Sequence, residues 1–200
     1  VTEHYFDAQP AGPERRTPVT VRLRGREVTL STAAGVFSRE GLDKATDVLL
    51  RHVEPPRSGT VLDLGCGWGP IACALALAGA DTWAVDVNER ALALTRDNAE
   101  SLGTTVRACL PDDVPDDVRF DQIWSNPPIR VGKQALHELL LRWLPRLRPG
   151  GRAHLVVGKN LGSDSLQRWL VEQGWPTERL VSEKGFRVLA VTAPDAPQDA

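Results

Sequence analysis

The spacing of apolar and polar positions changes period several times along the chain, and the changes divide it into short elements. Val19-Thr-Val-Arg-Leu-Arg alternates apolar with polar residues, Gly25 supplies a turn, and Arg26-Glu-Val-Thr-Leu alternates again, which predicts a β-hairpin. Residues 1–18 hold Pro10, Pro13 and Pro18 and few apolar residues, and read as an extended arm. Residues 31–38 read as a loop. From Arg39 to Arg51, Leu42, Ala45, Val48 and Leu49 recur at helical spacing, and Glu54-Pro-Pro-Arg-Ser-Gly then breaks the chain. Beyond this point short apolar strands over 60–64, 82–86, 106–108, 120–125 and 153–157 alternate with helices over 70–78, 89–102, 133–144 and 163–173. Asn88 is placed to cap the second of these helices and Gly103 to end it. Pro149-Gly-Gly reads as a turn into the last parallel strand, and residues 180–181 with 186–191 read as an antiparallel pair.

Strands alternating with helices imply an α/β domain: a parallel sheet covered on both faces, with ligands at the carboxyl ends of its strands. A terminal hairpin appended to such a sheet is foreign to an ordinary dinucleotide-binding fold. Two hundred residues suit one domain, here 1–30 as arm and hairpin, 31–192 as core and 193–200 as a flexible tail. Charge is nearly balanced, with 24 Lys and Arg against 26 Asp and Glu, so wholesale coating of nucleic acid is not expected, although a local basic patch remains open. The longest apolar run, Ile71–Ala80, is far shorter than the ~20 residues that span a bilayer, and the first residues lack a basic-then-apolar pattern, so neither a membrane partner nor a signal peptide is expected. Three cysteines without a CxxC pair predict no disulfide framework and no metal, and fit a reducing, cytoplasmic setting.

The glycine loop changes the picture from fold to ligand. Val61-Leu-Asp-Leu-Gly-Cys-Gly-Trp-Gly follows a strand and opens a helix, and Gly65, Gly67 and Gly69 let the backbone bend and approach a ligand closely. Asp86, about twenty residues on, ends the next strand, where a carboxylate can accept from ribose hydroxyls. The spacing is G-x-G-x-G and not the dinucleotide fingerprint, and Pro70 removes a backbone N–H that would cradle a pyrophosphate. Asp63 would repel a diphosphate, yet can accept from an ammonium group or cap the loop through backbone N–H groups. S-Adenosylmethionine carries such an ammonium and no phosphate. A nicotinamide dehydrogenase is disfavoured on both counts.

Ser125-Asn-Pro-Pro-Ile-Arg-Val-Gly-Lys follows the fourth parallel strand. The two prolines fix the chain's direction, so the Asn126 side chain and the Pro127 carbonyl can face one small target. Two fixed oxygens accepting the two N–H bonds of an exocyclic amine favour its pyramidal, nucleophilic form and aim its lone pair.

With these motifs in view, the chain resembles the small-domain family of class I S-adenosylmethionine-dependent methyltransferases, whose best-known members modify guanine N2 in ribosomal RNA. The resemblance rests on His4-Tyr-Phe, Gly35-Val-Phe-Ser, Asp63-Leu-Gly-Cys-Gly-Trp-Gly, Asp86-Val-Asn-Glu-Arg-Ala and Asn126-Pro-Pro-Ile-Arg-Val-Gly-Lys. It implies a Rossmann-like, mostly parallel seven-stranded sheet with an antiparallel last strand. It implies that Asp63, Gly65, Cys66, Gly67 and Gly69 hold the methionine part of the cofactor, Asp86 its ribose and Val87 one face of its adenine. Cys109 and Leu110 would border the adenine, at a place where relatives often carry an acidic residue that Asp112 or a backbone group here replaces. Asn126, also at the cofactor, and Pro127 would hold the target amine. Phe37 and Ser38 would close over the site, and Pro128, Ile129, Arg130 and Lys133 would lie beside the substrate. Ile129 replaces the aromatic ring that many amino-methyltransferases stack on the base.

The implied activity is N-methylation of guanine N2 in ribosomal RNA, with a presenting protein left open. Alternatives are the same chemistry on adenine N6, a protein amide or a small amine, or a non-catalytic cofactor-binding RNA module, for which Asn126-Pro-Pro would have little use. Arg15, Arg16, Arg22, Arg24 and Arg26 concentrate five positive charges ahead of the core, and those that share a parity, Arg22, Arg24 and Arg26, read either as a strip along a phosphate backbone or as a solvated hairpin face. Arg142, Arg146, Arg148 and Arg152 read as the outside of a helix and its turn, with contact to RNA as the alternative. Trp83, Trp124, Trp143 and Trp169 read as core, Trp68 as core or cofactor contact, and His52, His137 and His154 as structural.

Overall fold

The computed structural model describes residues 15–38, 40–128 and 132–195. The His4-Tyr-Phe segment, Ile129, Arg130 and the last five residues therefore lie outside the described residues.

The hairpin consists of β1 (Arg16–Leu23) and β2 (Arg26–Ala33), paired from Arg16↔Ala33 to Leu23↔Arg26. It begins earlier and ends later than the alternation predicted, and the reason is Asn98. The Asn98 amide accepts from the Ser31 N–H at 2.7 Å and donates to the Ser31 carbonyl at 2.8 Å, so a side chain serves β2 as a third strand would. Ser31 thus points its backbone groups away from its partner Pro18, a non-hydrogen-bonded pair in which the missing proline N–H is not needed. At the turn, Arg24 adopts a positive φ of 50° and swings under the hairpin to the Leu50 and Val53 carbonyls, at 2.8 and 2.9 Å, and to Glu54. Arg22 stands directly opposite Glu27. With Arg24 turned under the hairpin and Arg26 on β2, Arg22, Arg24 and Arg26 do not form one strip along a strand.

Helix α1 spans Lys44–His52 and starts later than the apolar spacing predicted, because the Asp43 side chain caps it by accepting from the Ala45 and Thr46 N–H groups. The central region follows as β3 (Thr60–Leu64), α2 (Pro70–Ala78), β4 (Asp81–Val85), α3 (Glu89–Ser101), β5 (Val106–Cys109), β6 (Phe120–Ser125) and α4 (Lys133–Trp143). The chain ends in β7 (Leu147–Gly158), α5 (Ser163–Glu172), β8 (Thr177–Glu183) and β9 (Phe186–Thr192). Pro149-Gly-Gly, expected as a turn before a short strand, lies inside the long β7. The positive φ of Gly150 and a register shift opposite residues 120–122 absorb the irregularity.

The seven strands are ordered β5-β4-β3-β6-β7-β9-β8, and β9 alone runs antiparallel to its neighbours. This is the Rossmann-like sheet with an antiparallel last strand that the sequence implied. The chain turns from one side of the sheet to the other between β3 and β6, which opens a crevice at their carboxyl ends. One face packs the hairpin, α1, α2 and α3; the other packs α4 and α5 around Phe120 and Trp143. Helix α2 is apolar on every side and buried from Pro70 to Ala76, with Gly69 at its start allowing α3 to approach. A Cβ at Gly69 would fall 2.7 Å from Thr95 Oγ1. Among the described residues no helix is long and apolar enough to cross a membrane.

Asn98 is 2% exposed, and its Nδ2 also donates to the Trp68 carbonyl at 2.8 Å, joining the hairpin to the glycine loop. Asn98→Ala strands those backbone groups, and urea titration is expected to show a loss of about 3 kcal/mol. A loss under about 0.5 kcal/mol contradicts the anchoring role.

Candidate active site

The loop after β3 is built from backbone pairing that continues past the strand. Gly65 and Cys66 both donate to the Val85 carbonyl, at 2.9 and 3.0 Å, and the Cys66 carbonyl accepts from Gly69 at 2.9 Å. All three glycines have positive φ, of 77°, 56° and 85°. Asp86, one residue past β4, holds the loop and the next helix together: Oδ2 accepts from the Gly67 N–H at 2.9 Å and Oδ1 from the Asn88 N–H at 3.0 Å. Each oxygen keeps a further acceptor site. Burial pushes this carboxyl above its usual range, and the backbone N–H groups work against that rise.

The segment Ala34–Ser38 folds over from the hairpin. Asn88 caps α3 through Oδ1 and donates from Nδ2 to the Gly35 carbonyl at 2.8 Å, and Arg90 donates to the Ala34 carbonyl at 2.7 Å. Ser38 holds a positive φ of 57° and donates its hydroxyl to the Gly41 carbonyl, closing a tight turn that leads to Asp43. At the end of β6, Ser125 donates to the Leu64 carbonyl at 2.6 Å and so ties the two strand ends side by side. Asn126 comes next. Its Nδ2 donates to Asp43 Oδ2 at 2.9 Å and to Thr46 Oγ1 at 3.1 Å.

These elements enclose a cavity of ≈ 360 Å³, within the range of small-molecule sites. Of the residues read from the sequence, Phe37, Gly65, Gly67, Asp86, Val87, Asn126, Pro127 and Pro128 line it. Ser38 and Cys66 line a smaller recess beside it, reached past Asp43, Thr46 and Asn126. Trp68 also borders the recess, although it is 2% exposed and packs in the core.

Other expected contacts fall elsewhere. Asp63 lines neither space. It is fully buried, Oδ2 accepts from the Ala72 N–H of α2 at 2.9 Å, and Oδ1 has no hydrogen-bond partner among the described residues. Gly69 serves helix packing. Cys109 and Leu110 stop short of the cavity, where Pro111 stands instead, and Asp112 turns outward to Arg142 at 2.6 Å. Lys133 is exposed at the start of α4 and does not line the cavity.

Sequence reasoning missed Asp43 and Thr46, and also Leu161 and Phe186, which close the wall from the β7 and β9 ends. Asp43 was findable, since an aspartate directly before an apolar helical pattern is a capping signal. Leu161 and Phe186 carried none.

The cavity suits a nucleoside-bearing sulfonium cofactor. A Cβ at Gly67 would meet no protein atom within 4 Å, so this backbone is open to a ligand. Asp86 has acceptor sites to spare for ribose hydroxyls, and Val36, Val85 and Ala91 supply apolar walls.

Arg142, Arg146 and Arg148 and four of the tryptophans make contacts within the chain. Arg142 pairs with Asp112, Arg148 with Asp121, and Arg146 donates to the Pro115 carbonyl. Trp124 and Trp143 are buried as expected, whereas Trp83 is half-buried under Arg107 and Trp169 stacks on His137. His52 meets Glu183, and His154 is buried edge-on to Trp124.

The family model for the methyltransferase small domain matches residues 27–190. An uncharacterized Bacillus subtilis protein, YbxB, is 32% identical over 94% of this chain and 98% of its own length. The ribosomal RNA small subunit methyltransferase C of Yersinia enterocolitica is 30% identical over 86% of this chain and 51% of its own length. Among solved structures, a T. thermophilus 16S rRNA N2 methyltransferase in complex with AdoMet and guanosine superposes with a TM-score of 0.79 at 26% identity, covering 90% of this chain and 51% of that one. The chain thus spans about half the length of the ribosomal RNA methyltransferases it matches.

Burial lifts the Asp63 carboxyl from 3.8 to about 8, opposed by the Ala72 N–H. The cost of burying its charge is absent below the unfolded value and grows as pH rises through the folded one. Asp63→Asn keeps an acceptor for Ala72 and removes that cost. Its denaturation midpoint is expected to fall less than the wild type's between pH 4 and 8. Parallel profiles would show that the charge carries no such cost.

Proposed function

The chain belongs to the methyltransferase small domain family, and on that premise we propose that it methylates the exocyclic N2 amine of a guanine in ribosomal RNA, using S-adenosylmethionine. The observation that carries the reading is the orientation of Asn126. Its Nδ2 is committed to Asp43 and Thr46 on the side of α1, so Oδ1 is the end left for the cavity that Gly65, Gly67 and Asp86 also line. The similarity to an N2 methyltransferase solved with AdoMet and guanosine supports the choice of amine.

When bound, the cofactor supplies an electrophilic methyl group on a sulfonium. The residues of this chain do the rest. Asp86 accepts from ribose hydroxyls while its own orientation is fixed by the Gly67 and Asn88 N–H groups. Asn126 Oδ1 and the Pro127 carbonyl accept the two amine N–H bonds, draw the nitrogen toward a pyramidal form and hold its lone pair in one direction. Pro127 and Pro128 keep the chain rigid there. After transfer the amine proton is acidic and leaves to solvent, so no general base is required. A guanine within a duplex must be flipped out to reach Asn126.

Nucleoside analysis of ribosomal RNA from cells with and without this protein tests the assignment. One N2-methylguanosine is expected to vanish in its absence and to return with the wild-type chain but not with Asp86→Ala. An unchanged N2-methylguanosine content together with loss of N6-methyladenosine would move the substrate to adenine.

A further inference from the structure

The Asn126 amide has two ends that differ chemically but hardly in shape. Turned one way it offers an acceptor to the cleft; turned the other it offers a donor, which is useless to an amine that is itself a donor. The backbone of Asn-Pro-Pro fixes where the side chain starts and does not decide this rotation. Asp43 decides it, and Thr46 supports the choice. A carboxylate only accepts, so Asp43 Oδ2, 2.9 Å from the amide, admits Nδ2 and repels Oδ1. Thr46 Oγ1, at 3.1 Å, takes the second N–H of the same nitrogen.

We propose that Asp43 and Thr46 are positioning residues, which lock Asn126 with its carbonyl toward the cleft and so present an acceptor to the target amine. The proposal rests on the methyltransferase reading above and adds to it the device that makes Asn126 competent.

The device is built on a stiff support. Asp43 Oδ2 is also the cap of α1, accepting from the Ala45 and Thr46 N–H groups at 2.9 and 3.3 Å, so the carboxylate is held by the helix it starts. Thr46 is buried at 4% exposure. The far end of α1 is held as well, by Arg24 on the Leu50 and Val53 carbonyls and by Glu183 on Arg51 and His52. The helix therefore acts as a beam between the hairpin and the cleft. It aims an amide that lies 83 residues away in sequence.

The test compares Asp43→Ser, Asp43→Asn and Thr46→Val with wild type, using labelled S-adenosylmethionine and ribosomal RNA from cells lacking the protein. Serine still caps a helix but is too short to keep the amide. Asparagine keeps an oxygen for both tasks. The expected result is a fall in kcat of about tenfold or more for Asp43→Ser, with cofactor affinity held within about twofold. Thr46→Val falls less, and Asp43→Asn recovers most of the loss. In parallel, the Asn126 side-chain amide resonances, identified by their disappearance in Asn126→Ala, are expected to shift and exchange faster in Asp43→Ser and Thr46→Val.

Unchanged kcat in Asp43→Ser, or unmoved amide resonances, overturns the proposal. So does weakened cofactor binding with kcat retained at saturation, which makes Asp43 a cofactor ligand instead. A rate loss that only tracks the folded fraction in urea reduces Asp43 to a helix cap. If the wild type transfers no methyl group at all, the functional reading falls, and the amide resonances alone judge the positioning.

Discussion

A carboxylate that accepts and never donates sits at the start of α1, and the Asn126 amide must turn its nitrogen to it. Most of the architecture around the cleft keeps that contact in place. Ser125 ties the end of β6 to the end of β3, which sets the position of Asn126 beside the glycine loop. Arg24 and Glu183 hold the other end of α1, which sets the position of Asp43. The hairpin that carries Arg24 is in turn fastened by Asn98, whose buried amide also holds the glycine loop through Trp68. A hairpin outside the seven-stranded sheet thus belongs to the same polar framework as the site.

The two carboxylates of the cofactor side show how environment separates similar groups. Asp86 is spanned by two backbone N–H groups at the rim and keeps acceptor capacity facing the cavity. Asp63 lies beneath the loop, satisfied at one oxygen only, and its buried charge is costly. One faces the cavity with acceptor sites to spare, and the other fastens α2 under the glycine loop.

What was legible followed from local rules. The alternation of strands and helices, the glycine loop, Asp86 and Asn126-Pro-Pro all carry their meaning within a few residues, and the sheet placed them at one end as the topology demands. What was not legible depends on partners distant in sequence. No pattern near β2 says that Asn98 will extend it, and none near Arg24 says that it will close α1. Pro149-Gly-Gly reads as a turn because proline and glycine usually end strands; here β6 pairs with Leu147 before them and with Arg152 after them, across a register shift. Apolar spacing alone starts α1 too early, because the Asp43 cap sets its first residue, and that cap is the residue that reaches Asn126.

The most direct measurement is transfer of labelled methyl from S-adenosylmethionine to ribosomal RNA, with DNA and protein extract in parallel, by wild type and by Asn126→Ala. Label is predicted in RNA with wild type and lost by a factor of about a hundred or more with Asn126→Ala, while cofactor binding survives. Equal labelling by the two proteins would contradict the account, because Asn126 would then not hold the reacting amine.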